Sequence, residues 1–189
     1  RFTFDPIHKN ITFNKDQIGV INTIKTALHK NVFSSFLLHG VTGSGKTEIY
    51  IKSVQHCLSR NRTAIVLLPE ISLTPQIAGR FKSVFGDKIA LWHSKLTQKK
   101  RSMTWKQVCQ GKVKVIVGAR SAIFTPLKNL GLIILDEEHE SSFYQDSSAP
   151  RYHARDVSLM RGLYEYAVVI IASATPSFES YYNYLNKKI

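Results

Sequence analysis

Residues 40–47 read Gly40-Val41-Thr42-Gly43-Ser44-Gly45-Lys46-Thr47, with Phe36-Leu37-Leu38 shortly before them and Glu48 to Leu58 directly after. The octet has the form G-x-x-x-x-G-K-[ST], whose glycines let the backbone curl until successive N–H groups face phosphate oxygens. The apolar triplet upstream predicts a buried strand, and Ile51, Val54 and Leu58 recur downstream at helical spacing. Strand, loop and helix in that order aim the positive end of a helix dipole at a bound anion. Lys46 is then expected to reach the β- and γ-phosphates and Thr47 to offer its hydroxyl to Mg²⁺. Val41, Thr42, Gly43, Ser44, Gly45 and Glu48 complete the expected cradle for a nucleoside triphosphate.

A second string belongs with the first. Leu132-Ile133-Ile134-Leu135 runs into Asp136-Glu137-Glu138-His139, an apolar strand ending in carboxylates. In a parallel sheet such residues project from the strand's carboxyl end, the edge that also holds the phosphate loop. Asp136 is expected to hold Mg²⁺, directly or through water, and Glu137 to take a proton from attacking water. Ser173-Ala174-Thr175-Pro176 follows the last apolar run, Val168 to Ala172, and reaches the same edge. Two roles are open for it: sensing the γ-phosphate through Glu137 or His139, and capping a helix that begins near Ser177.

The remaining apolar runs, 64–68, 89–92 and 113–117, alternate little between polar and apolar, as strands buried on both faces do. Helical spacing fills most gaps, at 18–28, 73–84, 97–110 and 154–163, and Asn14 is a plausible cap for the first helix. Strand–helix repetition predicts an α/β fold: a mostly parallel sheet with helices on both faces. At 189 residues the chain is expected to form a single domain, read here as part of a longer protein. The tract from Glu140 to Tyr152, with Ser147-Ser148-Ala149-Pro150, is the clearest irregular segment. Cys57 and Cys109 lie far apart and are expected to be buried free thiols.

Composition bears on partners. Lys and Arg total 26 against 13 Asp and Glu, a net charge of +13. The stretch from Lys88 to Leu135 holds ten of those cations and no acid, the footprint of a surface that meets a polyanion. No apolar run is long enough to span a bilayer, so no membrane partner and a cytoplasmic location are expected.

Taken in order, the strings 40–48, Leu68-Pro69-Glu70-Ile71-Ser72-Leu73-Thr74-Pro75-Gln76, His93-Ser94, 117–124, 136–139 and 173–180 resemble the motifs of superfamily-two helicases, and most closely the bacterial replication-restart branch. The resemblance covers nearly the whole chain, and the 68–76 and 173–180 strings are its most specific parts. It implies, with ATP as cofactor, a RecA-like P-loop NTPase lobe of a DNA-dependent ATPase that unwinds DNA 3′ to 5′ at stalled forks and helps reload the replicative helicase. By the same resemblance Asn14 and Gln17 contact adenine, and Lys46, Asp136, Glu137 and His139 are catalytic. Thr74, Pro75, Gln76, His93, Arg120 and Ser121 follow the DNA, while Ser173, Thr175 and Glu179 couple nucleotide to DNA. Ala119 stands where the family commonly has threonine, which leaves one phosphate contact in doubt.

The implied partners are single-stranded and forked DNA, a second motor lobe that supplies the transition-state arginine, primosome proteins and single-strand-binding protein. Zinc is implied only elsewhere in the full-length protein, and the location is implied to be the bacterial cytoplasm, on the nucleoid. Phe143, Tyr144 and Tyr152 fall in a tract that resembles the family's aromatic-rich loop. They are expected to stack on unpaired bases, with packing on the domain's own surface as the other reading. Another superfamily-two translocase, of fork-reversal or restriction-motor type, and a non-catalytic nucleotide-dependent nucleic-acid-binding module are the alternatives. Lys46, Asp136 and Glu137 all being present weighs against the second.

Overall fold

The apolar runs become the strands of one sheet. The structure, a computed structural model, describes residues 12–186 except Thr42 and Ser148; the expected cradle residue Thr42 therefore lies outside the described residues. Along the chain come α1 (Lys15–Lys30), β1 (Ser34–His39), α2 (Lys46–Ser59), β2 (Thr63–Leu67), α3 (Pro75–Phe85), β3 (Ile89–Trp92), α4 (Gln98–Cys109) and β4 (Val115–Gly118). There follow β5 (Leu130–Asp136), β6 (Tyr144–Gln145), β7 (Tyr152–His153), α5 (Ala154–Glu165), β8 (Val168–Ser173) and α6 (Phe178–Leu185). Six strands form a sheet in the order β1-β8-β5-β2-β4-β3, every pairing parallel.

The absence of polar–apolar alternation in these strands has its cause in the layers. Ala64, Val66, Leu132, Ile134, Val168 and Ile170 point to the face covered by α1, α2 and α3. Their neighbours Ile65, Leu67, Ile133, Leu135, Val169 and Ile171 point to the other face, where Val108 of α4 and Ala154 of α5 join them. Both sides of the central strands β8, β5, β2 and β4 are thus withdrawn from water, so their positions are almost all apolar, while the edge strands β1 and β3 are only partly buried.

Helix starts agree with the expected caps. The Asn14 Oδ1 accepts from the Gln17 amide at 2.8 Å while the Gln17 side chain accepts from the Asn14 amide at 2.9 Å, a reciprocal capping box. Thr74 caps α3 ahead of Pro75, whose missing N–H costs nothing at that position. Ser177 caps α6, as the capping reading of the 173–177 string requires.

Two expectations change. Cys57 is buried, its thiol pushed up to about 12 by burial, but Cys109 is exposed, because α4 is polar around most of its circumference and buries only Val108. The tract from Glu140 to Tyr152 is less irregular than its composition suggests. A 3₁₀ turn at Ser141–Phe143 leads into an antiparallel hairpin, β6 against β7. Tertiary contacts supply this order, through an arginine described below.

Candidate functional site

Parallel strands deliver their carboxyl ends to one edge, and the register shows what arrives there. His39 pairs with Ser173 and Asp136 with Ala172, so β1, β8 and β5 end level with one another. The phosphate loop leaves β1, the acidic box leaves β5 and the Ser-Ala-Thr-Pro string leaves β8.

The loop is closed by its own backbone. Ser44 N donates to Val41 O at 3.1 Å, and Gly40 N donates to Ser173 O at 3.2 Å. Gly43 and Gly45 have φ of 80° and 82°, left-handed values that favour glycine. At Gly45 a Cβ would also meet Gln17 Nε2 at 2.6 Å, because that amide packs on the loop and donates to Ser44 O at 2.8 Å. Lys46, first residue of α2, folds back so that its Nζ donates to Gly40 O at 2.7 Å and Val41 O at 3.1 Å. Its charge therefore sits inside the curl of the loop, and Thr47 follows it in the first turn. Gln17 is brought to the loop; the side-chain oxygen of Asn14 is spent on capping α1. Glu48 points elsewhere: its two oxygens accept from Arg80 Nε at 2.8 Å and Nη2 at 2.9 Å, tying α2 to α3.

Opposite the loop, Asp136 Oδ1 accepts from the Tyr50 hydroxyl at 2.7 Å and the Glu137 amide at 3.0 Å. Burial raises the Asp136 carboxyl above the usual carboxylate range, the neighbouring Glu137 adds to the rise, and the bond from Tyr50 and the charge of Lys46 oppose it. Tyr50 itself is fully buried, and burial followed by the Asp136 charge pushes its hydroxyl well above its ordinary value, keeping it a donor. Glu137 has φ 51°, unusual for a non-glycine residue, and its Oε2 accepts from Ser72 Oγ at 3.2 Å. His139 Nδ1 lies 2.8 Å from Ser173 Oγ, which also accepts from Thr175 N at 3.0 Å. The structure thus joins His139, Ser173 and Thr175, and of the two box residues considered as partners for this string it is His139 that reaches it. Glu179 is exposed on α6; the residue that reaches the acidic box from there is Ser177, through Glu138.

Sequence reasoning missed Tyr50 and Glu138. The signal for Tyr50 was weak: a polar-tipped residue on the apolar face of α2, one turn past Thr47. Glu138 stood beside Glu137 with nothing in the string to mark it as the buried one. Were Asp136 to hold Mg²⁺, the role expected of it from the sequence, a proton would compete with the metal as pH falls, because burial holds the carboxyl above its ordinary range. Tyr50→Phe removes a donor to the carboxylate and strengthens that competition. The Mg²⁺ concentration for half-maximal nucleotide binding is expected to rise several-fold, corresponding to the net contribution of one typical hydrogen bond, about 1 kcal/mol, and more at pH 6 than at pH 8. A mutant whose Mg²⁺ requirement tracks wild type across that range would show that this hydroxyl does not tune the carboxylate.

The residues expected to meet DNA gather on the same edge toward β3 and β4. Thr74, Pro75 and Gln76 open α3, His93 follows β3, and Arg120 and Ser121 follow β4. Arg120 is engaged within the chain. Its Nη1 donates to Ser142 O at 3.2 Å and to Tyr144 O, its Nη2 to Gln145 Oε1, and its guanidinium lies 5.7 Å from the Tyr152 ring centroid. It clamps the hairpin in place. Ser121 Oγ accepts from Trp92 Nε1 at 3.2 Å.

The aromatic trio divides. Phe143 is 1% exposed and belongs to the core on the α4/α5 face, so it does not offer a stacking surface. The packing reading holds for it because the 3₁₀ turn points its ring inward. Tyr144 is 48% exposed, and Tyr152 stands edge-on to Phe124 with centroids 5.1 Å apart. Phe143→Leu is expected to cost about 1–2 kcal/mol of stability and Tyr144→Ala less than about 0.5 kcal/mol, measured by urea unfolding. Equal costs would contradict this division.

Comparison with known proteins agrees with the geometry. The DEAD/DEAH box helicase family matches residues 14–183. The chain is 45% identical over 185 residues to the replication restart protein PriA of Chlamydia pneumoniae, covering 98% of this chain and 24% of that protein. It is 48% identical over 166 residues to the replication restart protein PriA of Bacillus subtilis (strain 168), covering 88% of this chain and 20% of that protein. It thus spans about a quarter or less of the length of these relatives. Among solved structures it is similar to RecG bound to a three-way DNA junction, with TM-score 0.65 and 19% identity over 93% of this chain and 22% of that one. The Pyrococcus furiosus Hef helicase domain is also similar, with TM-score 0.60 and 20% identity over 93% of this chain and 37% of that one. At these identities the structural likeness establishes the RecA-like fold.

Proposed function

Because this chain belongs to the DEAD/DEAH box helicase family, we propose that it is the ATP-binding lobe of an ATP-dependent DNA helicase working 3′ to 5′ at stalled forks in replication restart. The observation that carries the catalytic part is the meeting of two strings at one sheet edge. Lys46 is held inside the phosphate loop by two carbonyls, and across from it stand Asp136, the last residue of β5, and Glu137, which follows it. The identity of 45–48% with replication restart proteins supports the biological part.

In this reading the loop amides and Lys46 bind the phosphates, and Gln17 ties the adenine side of the site to the loop. Thr47 and Asp136 hold Mg²⁺, which supplies charge neutralisation on the phosphates. Their chemistry fits that ion: a hydroxyl and a carboxylate are hard oxygen donors. Glu137 accepts the proton of the attacking water, and His139 passes the state of the site to Ser173 and Thr175. The transition-state arginine is assigned to a second motor lobe in the part of the protein beyond this chain, where the resemblance also places a zinc-binding insertion. Single-stranded and forked DNA, single-strand-binding protein and primosome proteins are the proposed partners, in the bacterial cytoplasm. No helix among the described residues is long and apolar enough to cross a membrane.

A fluorescent ATP analogue titrated with Mg²⁺ onto the chain tests the nucleotide site. Lys46→Ala is expected to weaken binding by about tenfold or more, since a charge-assisted contact contributes about 1.5–3 kcal/mol. Equal affinity would remove the phosphate-loop assignment. Turnover by these 189 residues alone is expected to be close to absent, and robust DNA-stimulated hydrolysis would overturn the two-lobe account.

A further inference from the structure

Beside the nucleotide site, the turn after β2, the start of α3 and the segment after β3 border a half-open pocket of about 540 Å³, within the range of small-molecule sites. Its floor is apolar: Leu73, Ala78 and Leu91. Ile71 stands at its mouth, 77% exposed, a large aliphatic side chain that the fold leaves in water. The rim carries Glu70, His93 and Lys95, and Ser94 Oγ donates to Glu70 Oε2 at 3.2 Å.

This mixture does not suit a phosphate. A carboxylate on the rim repels an anion, and an apolar floor gives it no donors. It suits a flat, mostly apolar group that carries a hydrogen-bond donor at its edge and an anion just outside. A carboxylate has about four acceptor sites, so the bond from Ser94 orients Glu70 and leaves acceptor capacity for an amine. Lys95 lies at the same rim and belongs to the acid-free basic stretch from Lys88 to Leu135, the part of the chain suited to a phosphodiester.

We propose that this cavity receives one unstacked nucleobase of the DNA strand, with Glu70 accepting from an exocyclic amine and Lys95 meeting the adjoining phosphate. The proposal rests on the DNA-binding reading above and adds a base-recognising subsite to it. Cytosine presents an amine donor at N4 where thymine presents a carbonyl acceptor at O4, which a carboxylate repels. Cytosine is therefore accepted and thymine disfavoured.

The two homopolymers oligo-dC and oligo-dT, matched in length and both weakly stacked, make the test. Bound to the chain at fixed salt and followed by fluorescence anisotropy, oligo-dC is expected to bind about tenfold tighter than oligo-dT. Glu70→Gln should bring the ratio close to one, mainly by strengthening oligo-dT, because the amide can donate to the thymine carbonyl. If Glu70 only repelled the backbone, the same substitution would tighten both oligonucleotides equally and preserve the ratio. Ile71→Ser, at an exposed position that leaves folding intact, should weaken oligo-dC by about threefold without changing the salt dependence, since no phosphate contact is lost. A wild-type ratio near one, or a ratio untouched by Glu70→Gln, overturns the subsite while leaving DNA binding in place. Failure of both oligonucleotides to bind at low salt would overturn the DNA reading itself.

Discussion

Glu137→Gln is expected to lower DNA-stimulated ATP hydrolysis of the full-length protein by about three orders of magnitude while nucleotide affinity stays within about twofold of wild type. Position makes the effect selective. Glu137 sits at the turn just past β5 with φ 51°, so its carboxylate is aimed by a constrained backbone, and Ser72 Oγ donates to its Oε2 at 3.2 Å. Glutamine keeps the length of the side chain and an oxygen for Ser72, so the turn is not disturbed. What it loses is the capacity to accept a proton from water. Asp136, whose Oδ1 is held by Tyr50, keeps its place, so metal and nucleotide binding are retained. Nucleotide binding by fluorescence and steady-state hydrolysis, measured on the same preparation, separate the outcomes. A mutant that hydrolyses at the wild-type rate would show that another group takes the proton. One that also loses nucleotide would move Glu137 into the metal site.

What was legible in the sequence is what local strings encode. The phosphate loop, the acidic box and the parallel sheet follow from residues that are neighbours in the chain, together with the geometry that brings strand ends to one edge. Tyr50, Glu138 and Arg120 act through partners that are 86, 39 and 22 to 25 positions away, and no spacing rule marks such pairs. Phe143 shows the same limit from the other side. Its polar neighbours suggested an exposed ring, but one 3₁₀ turn rotates it into the core, and turn geometry cannot be read from composition. Glu48 was taken for a nucleotide residue by its place after Thr47; the arginine that claims it, Arg80, lies on another helix. Charge on the surface was legible, whereas the Glu70 carboxylate beside an apolar pocket needed the fold to bring the turn after β2 and the segment after β3 to one sheet edge.

Glu138→Ala is expected to cost about 3 kcal/mol of stability, the largest loss from any single residue of the acidic box, and to uncouple the box from α6. Glu138 is 1% exposed. Its Oε1 accepts from Ser177 N at 2.6 Å, its Oε2 accepts from Ser177 Oγ at 3.1 Å, and Arg155 Nη1 lies 3.7 Å from Oε2. Its own amide donates to Ala172 O at 3.2 Å, extending the β5–β8 pairing past the sheet edge. One buried carboxylate therefore joins the strand that carries Asp136, the cap of α6 and the start of α5, which follows the Arg120-clamped hairpin. Alanine leaves the Ser177 amide and the Arg155 guanidinium without that acceptor in a largely dry site, and the penalty of those orphaned donors dominates the loss. Arg155 retains bonds to Ser177 and Ser180, so Arg155→Met in the same background should recover part of the stability by removing the stranded charge. Urea unfolding of the two single mutants and the double mutant measures that coupling. Additive costs would mean that Glu138 and Arg155 act independently, and the link from the acidic box through α6 to the hairpin would lose its physical basis.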